Sequence, residues 1–222
     1  MTERIKVEDV RKMPMVKAFI EIGDQHMGAM GYTEHSFRHA GLVSSISSNI
    51  LERLGYPKRD AELVAIAGYL HDLGNVVSRY NHGQTSAWLA MQVLSEIKMP
   101  WDEIALIMSA VGNHEEDYGQ PVNNIAAALI LADKSDVHRS RVRNTDVANF
   151  DIHDRVNYAA KHSFLRVDSK ERLITLELEI DTEMSTVMEY FEIFLVRMVM
   201  CRRAAAFLDS KFSLIMNGAK LL

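Results

Sequence analysis

Apolar residues recur every three or four positions through about the first 160 residues, between short breaks that contain Gly, Pro or polar residues. This spacing is typical of α-helices with one buried face. Gly and Pro mark the breaks because Gly favours helix ends and Pro cannot continue a helix. The predicted helices cover residues 7–30, 33–54, 60–71, 86–97, 101–112, 124–133 and 151–161.

The pattern changes in the last quarter of the chain. Residues 173–180 alternate apolar and polar side chains, and with residues 164–167 and the polar turn between them they predict a β-hairpin. Residues 184–208 predict a long amphipathic helix, and residues 212–218 a third strand that stops at an Asn-Gly turn. The sequence therefore predicts a mainly α protein, a helical bundle followed by a small antiparallel β-hairpin or three-stranded sheet and a long C-terminal helix.

Composition narrows the class of protein. The chain has 222 residues, 48% of them hydrophobic and 25% charged, which is ordinary for a soluble globular protein. Its net charge of −5 argues against nonspecific nucleic-acid binding, and the single cysteine, Cys201, excludes an internal disulfide and a sulfur-rich metal site. The N-terminus lacks an apolar signal region and no run of about 18 apolar residues occurs, so we expect a cytoplasmic protein without a membrane partner.

The chemistry is expected at the ends of the apolar helices. His71 and Asp72 end one of the most apolar stretches, where unpaired polar groups are costly. Packed helices can bring such side chains to one point, which is how helical bundles build histidine and carboxylate metal sites. Nitrogen and oxygen donors together suit a divalent Mn, Fe, Co, Ni or Zn ion. The same placement is shared by His35, His82, His114 and Asp133.

Other interpretations of these residues remain open at the level of sequence. A second pair, His153-Asp154, stands in a more polar context and is explained by chance. His39 follows His35 by one helical turn on the same face and is a rival metal ligand. His82 and His114 could instead cap a helix or bond a backbone carbonyl.

Three motifs in this order, His35-Ser36-Phe37-Arg38, His71-Asp72-Leu73-Gly74 and Asp133 after an apolar helix, resemble the HD superfamily of metal-dependent phosphohydrolases over roughly residues 30–140. The resemblance implies one metal bound by His35, His71, Asp72 and Asp133. It also implies a second metal bound by His82 and His114, with Asp72 as the bridging carboxylate. The chain departs from many relatives at Asn75, where they carry a lysine.

The same resemblance implies a function. Metal-activated water would hydrolyse a phosphomonoester or phosphodiester, in a nucleotide or another small phosphate compound. Asp72 acts through the metals. Arg38 and Lys134 adjoin the implied ligands and are candidates to bind phosphate. His39 or a metal-bound water would protonate the leaving oxygen. Two alternatives are a diiron oxygenase with the same order of ligands, and a regulatory or ligand-binding module that contains metal.

The resemblance also divides the chain. Residues 1–162 are expected to form an HD-type helical metal-binding domain. Residues 163–222, with the hairpin, the long helix and the terminal strand, are expected to form a small α+β appendage. We expect this appendage to cover the site or to join two copies into a homodimer.

Overall fold

The computed structural model describes residues 4–222, which form nine α-helices and four β-strands. The mainly helical fold predicted from the pattern is confirmed. The bundle helices are α1 (Val7–Lys12), α2 (Pro14–Ala29), α3 (Phe37–Arg53), α4 (Lys58–Leu70), α5 (His82–Glu96), α6 (Trp101–Gly112) and α7 (Asn124–Ser135). The remaining elements are α8 (Ile152–Ala159), β1 (Ala160–Asp168), β2 (Leu173–Ile180), α9 (Val187–Phe207), β3 (Lys211–Met216) and β4 (Ala219–Lys220).

Helix α7 lies at the centre of the bundle. Every residue from Ile125 to Ala132 is buried, because this helix is apolar on all sides and packs against α3, α4, α6 and α9. Within residues 4–222, no helix is both long and apolar enough to cross a membrane. Because residues 125–132 are packed on all sides, α7 fixes the position of the polar residues at its C-terminal end.

Helices α3 and α4 touch through their backbones. A Cβ atom added at Gly68 would lie 2.9 Å from the backbone N and Cα atoms of Ser44, so only glycine permits this approach. The close contact brings the start of α3 next to the end of α4. It thus places His39 beside His71.

Some helix limits differ from those predicted. The first predicted helix is divided at Met13, which ends α1, and Pro14 is the first residue of α2. The side chain of Ser36 caps α3 by accepting a hydrogen bond from Arg38 N. Helix α5 begins at His82, several residues before the predicted start, after a short 3₁₀ turn at Leu73–Val76.

The sheet has the strand order β1-β2-β3-β4 and differs in part from the expected one. Strands β1 and β2 form the predicted antiparallel hairpin. Strand β3, however, pairs with β2 in parallel, because α9 carries the chain back across the sheet before β3 begins. A tight turn at Asn217 and Gly218, both with positive φ, then adds β4. The result is a mixed four-stranded sheet.

The C-terminal elements pack on the bundle. Ala204 and Ala205 of α9 and Leu208 directly after it belong to the same buried core as α4 and α7. The same face of α9 nearer its N-terminus, with Tyr190 and Phe194, contributes to a second core under the sheet. Helix α9 is therefore held beside the C-terminal half of α7. The division of the chain at residue 162 and the homodimer stay predictions.

Candidate metal centre

Five helix ends meet at one place in the bundle. His39 lies in the first turn of α3, and His82 is the first residue of α5. His71 follows α4 directly, and Asp72 comes next. The fold brings six side chains together, which are His39, His71, Asp72, His82, His114 and Asp133.

One half of this cluster is built around His39. Its Nε2 atom lies 3.2 Å from His71 Nε2, 3.5 Å from Asp72 Oδ2 and 3.5 Å from Asp133 Oδ1. His71 Nε2 lies 3.3 Å from the same oxygen of Asp72 and 3.7 Å from that of Asp133. Two imidazoles and two carboxylates thus present their donor atoms to one another.

The other half of the cluster uses the second oxygen of the same aspartate. Asp72 Oδ1 lies 3.1 Å from His82 Nε2 and 3.9 Å from His114 Nε2. The two Nε2 atoms of this histidine pair are 3.1 Å apart. The two oxygens of Asp72 therefore face two different pairs of histidines, which is the geometry of a bridging carboxylate.

The hydrogen bonds of the histidines fix which ring nitrogen faces the cluster. In each ring Nδ1 donates to an oxygen, so in the neutral imidazole the proton sits on Nδ1 and the lone pair of Nε2 faces the cluster. His39 Nδ1 donates to the carboxylate of Asp136 at 2.7 Å. For the others the acceptors are backbone carbonyls, of Gly68 for His71 at 2.8 Å, of Arg79 for His82 at 3.1 Å and of Val111 for His114 at 2.6 Å.

These contacts fit metal ions. Two Nε2 lone pairs that face each other at 3.1 to 3.2 Å repel unless a proton or a metal ion lies between them. Two nitrogens at right angles on one ion, with bonds of about 2.1 Å, would be about 3.0 Å apart. Four imidazoles and two carboxylates are also the donor chemistry of first-row divalent ions. The residues present therefore fit one or two such ions.

Electrostatics in the cluster favour a cation. Burial works against charge here, yet the carboxylates of Asp72 and Asp133 raise the pKa of His71 to about 10, so without a metal ion this ring carries a proton on the nitrogen that faces the cluster. In turn the pKa of each carboxyl group is held well below its usual value, despite burial, by the charge of His71 for Asp72 and by the charge of Lys134 for Asp133. Both aspartates are ionised at neutral pH and concentrate negative charge at the centre.

Asp136 supports the first half of the centre and was missed by the sequence reasoning. Its carboxylate accepts from His39 Nδ1 and from Arg38, whose NH2 atom lies 2.9 Å away. Burial raises the pKa of Asp136, but the hydrogen bond from His39 and the charge of Arg141 lower it far more. The only sequence signal for Asp136 is that it follows Asp133 by three residues, which is close to one helical turn.

Arg38 is engaged away from the cluster. Its guanidinium pairs with Glu34 at 2.6 Å and with Asp136 at 2.9 Å. It does not line the cavity into which the donor atoms open. The geometry gives no support to the predicted phosphate contact of Arg38. Arg38 instead orients His39 through Asp136.

His35 stands at the edge of the centre. Its Nδ1 donates to Thr33 O at 2.7 Å, and its side chain lines the same cavity as Asp72. It belongs to none of the three groups of donor atoms found among the described residues, whereas its rival His39 does. Burial lowers the pKa of His35 well below its usual value. The geometry favours His39 over His35 as the ligand from this segment.

We therefore predict that His39→Ala removes one metal equivalent per chain and that His35→Ala retains both. The reason is that only His39 Nε2 lies among the donor atoms of His71, Asp72 and Asp133. Elemental analysis of the purified variants measures this, with exposed His26→Ala as a control for histidine loss. A His35→Ala protein with one equivalent, beside a His39→Ala protein with two, would reverse the assignment.

The centre opens into a cavity of about 580 Å³. Helices α8 and α9 form its opposite side, with Asp154 and Asn157 from α8 and with Ile193, Phe194 and Arg197 from α9. His153 lies there as well. The second His-Asp pair is thus outside the donor cluster but lines the cavity in front of it, and the C-terminal segment covers part of the site.

Cations border this cavity. Lys134 Nζ lies 2.6 Å from Asp133 Oδ2 and 3.0 Å from Glu116 Oε1, and these two charges raise its pKa although burial lowers it. Arg197 Nε lies 2.8 Å from the same oxygen of Glu116. Arg79 also lines the cavity and lies over the ring of Tyr32. The sequence reasoning missed Arg79, Glu116 and Arg197. Spacing from a ligand histidine is the only local signal for Arg79 and Glu116, and Arg197 has none.

Comparison with known proteins supports the resemblance found in the sequence. A model of the HD domain family matches residues 32–139, the segment that contains all six donor side chains. The chain is 25% identical over 189 residues to an uncharacterized protein of Methanocaldococcus jannaschii, a match that covers 74% of this chain and 70% of that protein. Over residues 32–139 the resemblance to the HD superfamily is confirmed.

A solved structure is also similar to this chain. It is the crystal structure of a predicted HD superfamily hydrolase from an uncultured Thermotogales bacterium. The two chains are 19% identical, and the alignment covers 59% of this chain and 73% of the other with a TM-score of 0.44.

Proposed function

We propose that this chain is a metal-dependent phosphohydrolase that cleaves a phosphomonoester or phosphodiester of a nucleotide or another small phosphate compound. The observation that carries the proposal is the geometry of Asp72, whose two oxygens face two pairs of histidines at the floor of a cavity bordered by cations. Paired metals with nearby cations are a common arrangement for stabilising the charge of a phosphoryl group in its transition state.

We assign the ligands from the contacts between donor atoms. One ion would be held by His39, His71, Asp72 Oδ2 and Asp133, and the other by Asp72 Oδ1, His82 and His114. When bound, such ions supply Lewis acidity and lower the pKa of water so that hydroxide is available near neutral pH. The identity of the metal and the presence of both ions belong to the proposal.

Side chains next to the ligands orient the imidazole rings. Asp136 holds His39 through Nδ1. Glu115 and the carbonyl of Arg79 share this role for His82, because Glu115 Oε1 lies 3.2 Å from His82 Nδ1 and also accepts from Gly83 N and from the hydroxyl of Tyr118. Carboxylates that hold ligand histidines in this way typically affect metal affinity by about 10- to 100-fold.

Phosphate recognition is assigned to Arg79 and Lys134. Lys134 is buried and lies directly beside Asp133, so it can neutralise an anion that reaches the donor cluster. Arg79 touches His82 at 3.3 Å, and within residues 4–222 no carboxylate lies within ion-pair distance of it. A guanidinium at the cavity without a paired carboxylate is available to bind phosphate, often through two parallel hydrogen bonds. Arg79 therefore takes the role first expected of Arg38.

The remainder of the substrate is assigned to the opposite side of the cavity. His39 cannot serve there as a proton donor, because Nδ1 is bound to Asp136 and Nε2 faces the donor cluster. The side formed by α8 and α9 offers His153, Asp154 and Asn157 beside the apolar Ile193. We propose that this wall contacts the leaving group and selects among phosphate compounds.

The proposal is tested by metal analysis of the purified protein, followed by a phosphate-release screen over nucleotides, sugar phosphates and dinucleotides. We expect bound transition metal and metal-dependent hydrolysis of at least one of these classes. Tightly bound iron with oxygen-dependent turnover, and without hydrolysis, would contradict the proposal in favour of an oxygenase. Bound metal with neither activity would instead favour a regulatory module.

For Arg79→Ala we predict a fall in kcat/KM of about 10- to 100-fold with unchanged metal content. The loss corresponds to one charge-assisted hydrogen-bonding group, worth about 1.5 to 3 kcal/mol. Steady-state kinetics on the substrate found by the screen, with elemental analysis, measure both quantities. Arg202→Ala, on the exposed surface of α9, is the matched control and should leave both unchanged. Metal loss in Arg79→Ala would show that Arg79 supports His82 and does not bind phosphate.

A further inference from the structure

A second cavity, of about 590 Å³, lies between α3 and β1. None of its lining residues lines the cavity of the metal centre. Its volume falls within the range of about 300–1,000 Å³ that is typical of small-molecule sites. The apolar part of its wall consists of Leu42, Ile46, Ile50, Phe164, Leu165 and Val167.

Two of these apolar side chains are left uncovered. Phe164 is 48% exposed and Leu42 is 36% exposed, although both are large and belong to a concave surface. Covering such side chains gains about 25 cal/mol for each Å² of apolar surface removed from water. Most of the wall is branched aliphatic and Phe164 is its one aromatic side chain, so an aliphatic chain fits the wall better than a planar base.

The polar part of the wall is basic although the whole chain is acidic. Arg38, Arg53 and Arg166 all line the cavity, and Asp136 is the one carboxylate of the lining, while Arg166 is paired with Glu177 at 2.7 Å. Asp136 is already bonded to Arg38 and His39. Arg53 donates to the amide oxygen of Asn49, and within the described part of the chain it has no carboxylate partner. An anionic head group would therefore find a positive charge beside the aliphatic wall.

We propose that this cavity binds a single-chain amphipathic anion, an aliphatic chain that ends in one acidic head group, as an effector of the metal centre. The aliphatic chain of the ligand covers Leu42 and Phe164, and its head group pairs with Arg53 and Arg38. The link to the metal centre is direct, since Arg38 pairs with Asp136 and Asp136 holds His39. A head group that draws Arg38 away changes the support of His39. The effector role rests on the proposed role of His39 as a metal ligand.

Binding is tested by calorimetric titration of the metal-loaded full chain with decanesulfonate, below the concentration at which it forms micelles. Two controls distinguish the contribution of the aliphatic chain from that of the negative charge. Decyltrimethylammonium has the same aliphatic chain, and ethanesulfonate has the same head group. We expect one site per chain and an affinity for decanesulfonate at least tenfold above that for either control. Equal affinity for the two decyl compounds, or no saturable site, would overturn the proposal.

Two variants locate the site. Arg53→Gln, at an exposed position, should weaken binding of decanesulfonate about five- to tenfold, and Ser45→Trp should fill the cavity and abolish binding. Arg202→Gln is the matched control and should bind as the wild type does. If Ser45→Trp fails to fold, Arg53→Gln still decides, because unchanged affinity in that variant contradicts the site.

Coupling to the metal centre has its own readout. Metal affinity, measured by competition with a chelator, should change about three- to tenfold when decanesulfonate is bound, and this change should vanish in Arg38→Gln. Binding at the site with unchanged metal affinity would overturn the effector role and leave the proposed hydrolysis untouched. Absence of phosphate release in the substrate screen bears on the proposed function alone, because neither titration uses a substrate.

Discussion

Replacing Asp72 by Ala is expected to empty both halves of the metal centre and to lower phosphate release by on the order of a thousandfold or more. The variant removes the one side chain that touches both pairs of histidines, through Oδ2 on the side of His39 and Oδ1 on the side of His82. It also leaves only one ligand carboxylate, beside four imidazoles, to attract two divalent ions. Elemental analysis and the phosphate-release assay measure the two effects in the same preparation.

The second His-Asp pair supplies the matched control. Asp154 also follows a histidine and also lines the cavity, but it is not among the converging donor atoms, so Asp154→Ala should keep both metal equivalents. His82→Ala and His114→Ala should each remove one equivalent and leave the other. Thermal unfolding of each variant separates loss of metal from loss of fold. An Asp72→Ala protein that keeps its metal and hydrolyses phosphate esters would refute both the ligand assignment and the proposed function.

The positions of the polar residues relative to the apolar helices could be predicted from local sequence alone. Asp133 stands near the end of a helix that is buried on all sides, and His71 ends another. A carboxylate and an imidazole at such positions are buried by the same packing that buries the helix, so their convergence follows from the hydrophobic pattern.

The choice between His35 and His39 could not be made in this way. It depends on where α3 begins, and Ser36 caps the helix by accepting from Arg38 N. His35 therefore lies before the helix, where its ring bonds the carbonyl of Thr33, and His39 lies within the first turn. A pattern of apolar residues places a helix start only to within about two to four residues, which is up to one turn.

The residues that orient and surround the centre depend on contacts distant in sequence. Arg38 and Asp136 are 98 positions apart, and Arg197 reaches Glu116 only because α9 packs beside α7. The parallel pairing of β3 with β2 has the same origin, since it depends on where α9 returns the chain. Local patterns carry no information on such pairings, so these features required the structure.

Replacing Gly74 by Ala is expected to lower the free energy of unfolding by about 1 to 3 kcal/mol. A Cβ atom at this position would lie far inside van der Waals contact of the carbonyl oxygen of His82 and 2.8 Å from Ser86 N. Gly74 N also donates to Ser86 Oγ at 2.7 Å, so the glycine joins the segment after Asp72 to the first turns of α5.

Because α5 begins at His82, moving this helix away from residue 74 should also cost the second metal equivalent. Denaturant unfolding and elemental analysis measure the two effects. Gly41→Ala in α3 is the matched control, since a Cβ atom there meets nothing within 4 Å, and it should raise stability by about 0.5 to 1 kcal/mol through helix propensity. If both variants unfold at the wild-type midpoint and Gly74→Ala keeps two metals, the close approach of α5 does not position His82.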